Sequence, residues 1–246
     1  MTAPRFYCPP PLLLNSSLEL PPAAAHHASR VLRLRVHDEV QVFDGIGNEL
    51  HGVISEISGK KVVLDKLQAS TVNRESPLPI VLAQAMCSSE KMDWVVQKAT
   101  ELGVSAIQPV QTQRSVAKLS GERIEKRIEH WRAVIIGACE QCGRNVLPEI
   151  RAPQELSTWL AVLRNEPGSK FILAPDASSS LSEQVQPQAA ATLLIGPEGG
   201  FSADEVRLAQ QVGFISVRLG TRTMRTETAA VAGLAVLQTL WGDFKN

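Results

Sequence analysis

From Ile80 onward the chain repeats one rhythm, an apolar run followed by a loop and an amphipathic stretch, and this alternation narrows the fold more than any other feature. Ile80 to Ala85 reads as a buried strand and Lys91 to Leu102 as a helix. That helix stops at Gly103, where glycine takes the left-handed cap geometry, and Ser105 to Val110 is again a strand. Strand, helix and strand in this order form the βαβ unit of a parallel sheet. A long helix follows from Glu122 to Cys142, with Ile124, Ile128, Trp131, Ile135, Ala138 and Cys142 on one apolar stripe. Gln154 to Arg164 reads as a helix and Lys170 to Ala174 as a strand, with a serine-rich connection from Asp176 to Gln188. Thr192 to Ile195 and Ile215 to Leu219 complete the strands. The last helix, Glu227 to Trp241, is apolar around its circumference and calls for burial by a neighbour or a second subunit.

Residues 1–72 have a different texture. After Pro21 and Pro22, Ala23 to Leu32 suits a short helix, and Glu39 to Asp44, Glu49 to Ile54 and Lys61 to Asp65 suit strands. Gly45-Ile46-Gly47-Asn48 is rich enough in glycine to close a hairpin, so a small barrel or meander is expected. Residues 73–79, within a polar stretch from Ser70 to Pro79, form the expected linker to a second domain at 80–246.

A chain of 246 residues with 44% hydrophobic side chains can bury a sizeable core, which excludes disorder as its main state. No apolar run approaches the roughly 18 residues that cross a bilayer. The first fifteen residues lack the basic start and small-residue cleavage site of a signal peptide, so a soluble cytoplasmic protein with no membrane partner is expected. The 25 basic and 25 acidic side chains cancel, and they balance within residues 1–75 and within residues 76–246 as well. A nucleic-acid partner would therefore have to be met by locally gathered arginines rather than by a basic surplus. Cys8, Cys87, Cys139 and Cys142 make no disulfide framework, and the lone C-x-x-C at 139–142 has no second pair or histidine at zinc spacing, so no metal is expected. His26 and His27, adjacent on a helix, diverge in direction.

Two loops at strand ends carry the chemistry. In the first, Ile195-Gly196-Pro197-Glu198-Gly199-Gly200-Phe201, the glycines let a ligand approach the backbone, and Ser202 with Glu205 makes a capping box for the next helix. It is neither a phosphate loop nor a G-x-G-x-x-G dinucleotide fingerprint. A plain strand-to-helix turn would look similar. The second, Leu219-Gly220-Thr221-Arg222-Thr223-Met224-Arg225-Thr226-Glu227, places two arginines at a helix N-terminus whose dipole has the same sign, which suits an anionic ligand.

The stretches Lys98 to Val104, Glu140 to Arg144, Ile195 to Phe201 and Leu219 to Ala229, with Arg30-Val31-Leu32-Arg33 and Val40 to Gly45, resemble the ribosomal RNA small subunit methyltransferase E family of the SPOUT superfamily. The resemblance runs in order through nearly the whole chain. His37 stands where a glycine is common, and Cys142 where a small serine is common. The family resemblance implies an N-terminal PUA-like β-barrel that helps hold RNA and an α/β domain with a trefoil-knotted parallel sheet. It implies a homodimer that moves a methyl group from S-adenosylmethionine to N3 of a uridine near the 3′ end, in the decoding region, of 16S rRNA in the small ribosomal subunit.

Carried onto this sequence, the cofactor belongs against Leu173, Ala174 and Pro175, against Ile195, Gly196, Pro197, Glu198, Gly199 and Gly200, and against Leu219, Gly220, Thr223, Met224, Arg225 and Thr226. Methylation at N3 requires loss of its proton, and charge then spreads onto O2 and O4. Arg225 or Arg222 is the expected stabilising cation. Glu198 or Glu227 is the expected base, with water as the alternative, since His130 lies outside these loops. Glu227 could equally serve as a first-turn helix carboxylate or an arginine's partner. For RNA phosphate, Arg114, Lys118, Arg123, Lys126, Arg127, Arg132 and Arg144 gather in sequence; Arg114 and Arg144 are favoured, with Arg5, Arg30, Arg33 and Arg35 in the barrel. A methyltransferase for transfer RNA or another rRNA position would share this cofactor site, and an inactive rRNA-binding assembly factor would share the fold.

Overall fold

The computed structural model describes residues 3–14, 16–116 and 121–245, and Lys118 lies outside them. The chain divides into two units. The first runs to Glu75 and also takes in Ile136–Leu147; the second comprises Ser76–Ile135 and everything from Pro148 onward.

In the first unit, β1 (Arg5–Tyr7), β2 (Leu18–Glu19), α1 (Pro22–His26), β3 (Glu39–Phe43), β4 (Glu49–Ser58) and β5 (Lys61–Ser70) follow one another. The five strands form one sheet in the order β1-β3-β4-β5-β2, antiparallel except where β1 runs parallel to β3. The glycine-rich turn closes the β3–β4 hairpin as the sequence suggests, and buried Asp44 shapes it by accepting from the backbone N–H of Ile46 and of Asn48, each at 3.0 Å. The helix expected over 23–32 comes in two pieces, α1 and then a wider π turn at His27–Val31. β4 and β5 outrun their expected ends at Ile54 and Asp65, since beyond those points only Ile57 and Leu67 face the core and polar neighbours surround them in sequence. Phe6, Val40, Val42, Ile54, Val62 and Leu64 fill the core between sheet and helix.

Two of the arginines expected at RNA are instead interior struts of this unit. Arg5 pairs with Glu49 and donates to Oδ1 of Asn145 at 2.8 Å and to the Arg144 carbonyl at 3.1 Å. Arg144 is buried, and its guanidinium binds Oε2 of Glu75 at 2.6 and 3.0 Å. A buried arginine bound to a carboxylate satisfies its charge there, which corrects the expectation of phosphate contact at both positions. These bonds, with the Tyr7 N–H donating to Oε1 of Glu140 at 3.0 Å, stitch segment 136–147 to the N-terminal strand.

The second unit contains β6 (Ile80–Ala85), α2 (Ser89–Glu101), β7 (Ala106–Gln111) and most of α3 (Glu122–Cys142). There follow β8 (Glu149–Ile150), β9 (Gln154–Glu155), α4 (Leu156–Val162), β10 (Ser169–Leu173), β11 (Ser179–Ser180), β12 (Ala191–Ile195), α5 (Ala203–Gln211), β13 (Phe214–Arg218) and α6 (Thr226–Trp241). Every pairing is parallel, in the order β11-β13-β10-β12-β6-β7-β8, with β9 also on β7. The helix read at 154–164 gives up its first two residues to β9 and its last two to a 3₁₀ turn. Leu156, Trp159 and Leu160 of α4 and Ala209 of α5 pack with Ile172, Leu194 and Phe214 of the sheet. α6 lies close against β10 and β12, because Gly233 leaves a gap that Leu193 and Leu173 fill; a Cβ there would meet Leu193 at 2.7 Å.

Burial would raise the Glu49 carboxyl, but hydrogen bonds from Arg5, then Ser70 and His51, hold it down at about 2. Its stabilisation is therefore complete above the ordinary value of 4.5 and is lost as pH falls from there toward about 2. Replacing Glu49 by Ala strands Arg5 and should cost about 3 kcal/mol at pH 7 in chemical denaturation, with the wild-type advantage shrinking in acid. His37 has φ +78°, a conformation in which a β-carbon is strained, so His37→Gly should raise stability by up to about 1 kcal/mol in the same measurement.

Candidate active site

The central order β13-β10-β12-β6 sets four strand ends side by side. Leu173, Ala174 and Pro175 leave β10, Gly196 leaves β12, Leu219 leaves β13, and Met86 and Cys87 leave β6. Open parallel sheets bind ligands at this carboxyl edge. All of the residues expected to touch a cofactor belong to three of these four loops.

The glycine loop is fixed from below. Thr226, the first residue of α6, donates its hydroxyl to the Gly196 carbonyl at 2.6 Å and accepts from Nε2 of Gln84 at 2.9 Å. Gln84 is 0% exposed, its Nε2 also donates to the Ala85 carbonyl, and its Oε1 has no partner among the described residues. Past Gly196 the chain turns through a Gly200 N–H bond to the Pro197 carbonyl at 2.9 Å, and Gly200 takes φ +68°. Gly220 takes φ +71° in the companion loop. A Cβ at either glycine would project into open space. The Ser202–Glu205 capping box forms as read, and Glu205 also accepts from the Gln113 N–H at 2.7 Å. Arg114, exposed, donates to the Gly199 carbonyl at 2.7 Å and lies along that glycine.

Charge at the mouth divides into paired and free groups. Lys91 in the first turn of α2 binds Oε1 of Glu198 at 2.9 Å and lies 3.6 Å from Oε2 of Glu227. Burial raises the Glu198 carboxyl, but the Lys91 hydrogen bond and charge outweigh it and hold the group below its ordinary value; Lys91 itself is raised, chiefly by its bond to Glu198. Oε2 of Glu227 is buried and has no hydrogen-bond donor among the described residues. Arg222 and Arg225 are exposed and neither guanidinium has a hydrogen bond or ion pair among the described residues, so Glu227 serves Lys91 rather than either arginine. Cys87 is buried beneath these groups, and its thiol is pushed up to about 12 by burial and then by Glu198, which leaves it unreactive.

Other expected residues stand elsewhere. Arg30, Arg33 and Arg35 are exposed on the first unit. Arg123, Lys126 and Arg132 are exposed along α3, while Arg127 stacks on Trp131 and pairs with Asp93, which His130 also binds at 2.8 Å. Cys139 is buried and Cys142 half-buried; no group of three His, Cys, Asp or Glu side chains able to hold a metal occurs among the described residues. Sequence reading missed Lys91 and Gln84. Gln84 was visible as the lone polar residue of an apolar strand, and Lys91 as a cation in the first turn of a helix, where the dipole disfavours it.

Known proteins share this arrangement. A family model described as an RNA methyltransferase domain matches residues 74–238, and one described as an RNA methyltransferase PUA domain matches residues 20–67. Ribosomal RNA small subunit methyltransferase E of Buchnera aphidicola subsp. Acyrthosiphon pisum (strain APS) is 34% identical over 242 residues, 98% of this chain and 95% of that protein. The Bacillus subtilis (strain 168) protein of the same name is 31% identical over 222 residues, 86% of each. A Legionella pneumophila methyltransferase solved with bound S-adenosylmethionine superposes with a TM-score of 0.94 at 40% identity, over 99% of this chain and 100% of that one. The Neisseria gonorrhoeae ribosomal RNA small subunit methyltransferase E, bound to the same molecule, gives 0.91 at 36% identity over the same shares.

The fold is thus that of the RNA methyltransferases that join a small PUA-like β-barrel to a SPOUT-type, trefoil-knotted parallel sheet. Within that class, the chain belongs to the ribosomal RNA small subunit methyltransferase E family.

Replacing Thr226 by Val removes the hydroxyl while keeping shape, so the Gly196 carbonyl loses its bond from the hydroxyl and Gln84 Nε2 keeps only the Ala85 carbonyl. Thermodynamic stability should fall by about 1–3 kcal/mol in denaturant titration, and Thr226→Ser should recover most of it.

Proposed function

We propose that this protein transfers a methyl group from S-adenosylmethionine to N3 of a specific uridine near the 3′ end, in the decoding region, of 16S rRNA, acting on the small ribosomal subunit in the cytoplasm as a homodimer. The observation that carries this reading is the pair of arginines without a partner among the described residues, Arg222 and Arg225, beside a cradle of bare backbone.

The residues fit the cofactor. At Gly200 and Gly220 the left-handed backbone faces open space that any side chain would fill, and buried Ile195 with half-buried Leu173 and Leu219 supplies apolar walls. An adenosyl group needs such a slot, with backbone polar groups rather than a charged clamp. Leu173 to Pro175, Ile195 to Gly200, Leu219, Gly220 and Thr223 to Thr226 would hold it. When bound, it supplies an electrophilic methyl group.

The chain's own part is to prepare the uracil. Arg225, immediately before α6, and Arg222 stabilise the negative charge that spreads onto O2 and O4 as N3 loses its proton. Of the two carboxylates, Glu198 is committed to Lys91 and held below its ordinary value, which makes it a weak base. Glu227, whose buried oxygen accepts no hydrogen bond among the described residues and lies farther from Lys91, at 3.6 Å, is the better acceptor for the N3 proton. Arg30, Arg33 and Arg35, exposed on the first unit, supply phosphate contacts, and Arg114 lies at the glycine loop where it meets both loop and RNA. Half-buried Val231, Val236 and Leu240 on α6 favour a second copy as the cover for that helix.

Arg225→Ala, which keeps the backbone that would meet the cofactor, should lower single-turnover methylation of purified small subunits by about 100-fold or more while leaving S-adenosylmethionine affinity by calorimetry near that of the parent; full activity would remove Arg225 from the mechanism. Labelled methyl appearing in transfer RNA alone would overturn the substrate, and label in neither would favour a binding protein.

A further inference from the structure

The carboxylates of Glu198 and Glu227 come from different loops, after β12 and at the start of α6, yet both lie within ion-pair reach of one nitrogen, Nζ of Lys91 at 2.9 and 3.6 Å. No other ion pair involves either carboxylate among the described residues. Lys91 stands in the first turn of α2, where a cation opposes the helix dipole, so its placement serves no need of its own helix. Two carboxylates that share one cation repel each other, and without that cation the doubly ionised pair is harder to form.

We propose that Lys91 is a positioning residue for methyl transfer: its ammonium, shared between Glu198 and Glu227, keeps both carboxylates ionised and registers the glycine loop and the start of α6 against α2. The proposal rests on the reading of Glu227 as the proton acceptor. Lys91 touches neither the uracil nor the cofactor. It acts through the carboxylates, by letting Glu227 enter the reaction unprotonated while Glu198 takes the closer contact and pins the loop.

The other charged or titratable groups facing the trio do not replace Lys91. Cys87, at the end of β6, is a buried neutral thiol. Arg114 is committed to the Gly199 carbonyl. Arg222 and Arg225 lie on the loop before α6 without an ion pair to either carboxylate. On α2, Glu90 is exposed and acidic, and Asp93 is taken up by His130, Trp131 and Arg127.

The test is the pH profile of single-turnover methylation of small subunits by the full-length protein. Lys91→Met should move the acid limb upward by about one pH unit or more, because the carboxylate pair loses its cation. Lys91→Arg should return the limb to the parent position. Glu198→Gln should move it the other way, downward, because Lys91 then serves Glu227 alone. A brace of merely structural importance would lower activity at every pH without these opposite shifts. An unmoved acid limb in Lys91→Met, or the same displacement in Lys91→Met and Lys91→Arg, would overturn the proposal. Titration of ¹³C-labelled glutamate carboxyls, assigned through Glu227→Gln, separates this idea from the one beneath it. If the Glu227 resonance titrates higher in Lys91→Met while Glu227→Gln keeps full activity, Lys91 sets the ionisation and Glu227 is not the base. If the resonance does not move, the Lys91 proposal fails whatever the activity.

Discussion

One hydroxyl organises the candidate active site. The Thr226 oxygen donates to the glycine loop at Gly196 and accepts from Gln84, whose backbone is held in register with Ile195 on one side and Pro109 on the other. Rigidity therefore passes from the middle of a parallel sheet, through two short hydrogen bonds, to two loops that regular structure would not otherwise tie together. Arg225 precedes that threonine and Glu227 follows it, while Glu198 lies two residues beyond the bonded carbonyl. Arg225, Glu227 and Glu198 thus sit within two residues of a bond anchored in the core, which is how loops achieve the placement that catalysis demands.

The arginines sort by partner rather than by sequence neighbourhood. Arg5 and Arg144 are bound to Glu49 and Glu75, where removing the carboxylate would leave a largely buried guanidinium without its counterion. Arg222 and Arg225 are exposed and unpaired among the described residues. A chain whose charges sum to zero can accordingly use some cations as internal fasteners and keep others for a polyanion, and the total says nothing about which is which.

Much of the second unit was legible because its signals are local. Apolar runs marked β6, β7, β10, β12 and β13 to within a residue or so, Gly103 marked the end of a helix, and Ser202 with Glu205 marked the start of another. The first loop of the candidate site stood out for its glycines and the second for its two arginines, and the backbone is left-handed at Gly200 and Gly220. Other features depend on distant partners. Nothing near Arg144 announces Glu75, and nothing near Tyr7 announces Glu140, so periodicity could not show that residues 136–147 join the first unit. β1, β2 and β8, of two or three residues each, are shorter than any repeat that could reveal them. Lys91 escaped notice because a lysine on a helix surface is ordinary until its neighbours in space are known. His37 was legible as an oddity, and its positive φ supplies the reason a glycine suits that position.

The discontinuity of the first unit bears on the order in which the protein is made. Chains emerge from the N-terminus, and domains generally fold as they become complete. Here the barrel's strands are all synthesised by residue 70, but Glu140, Asn145 and the carbonyl of Arg144, which Tyr7 and Arg5 require, come some 70 residues later. During that interval Arg5 and the main chain of β1 lack part of their final set of partners. The first unit is begun first and finished only after the first two strands of the parallel sheet have been made, so the two units mature as interleaved steps of one process.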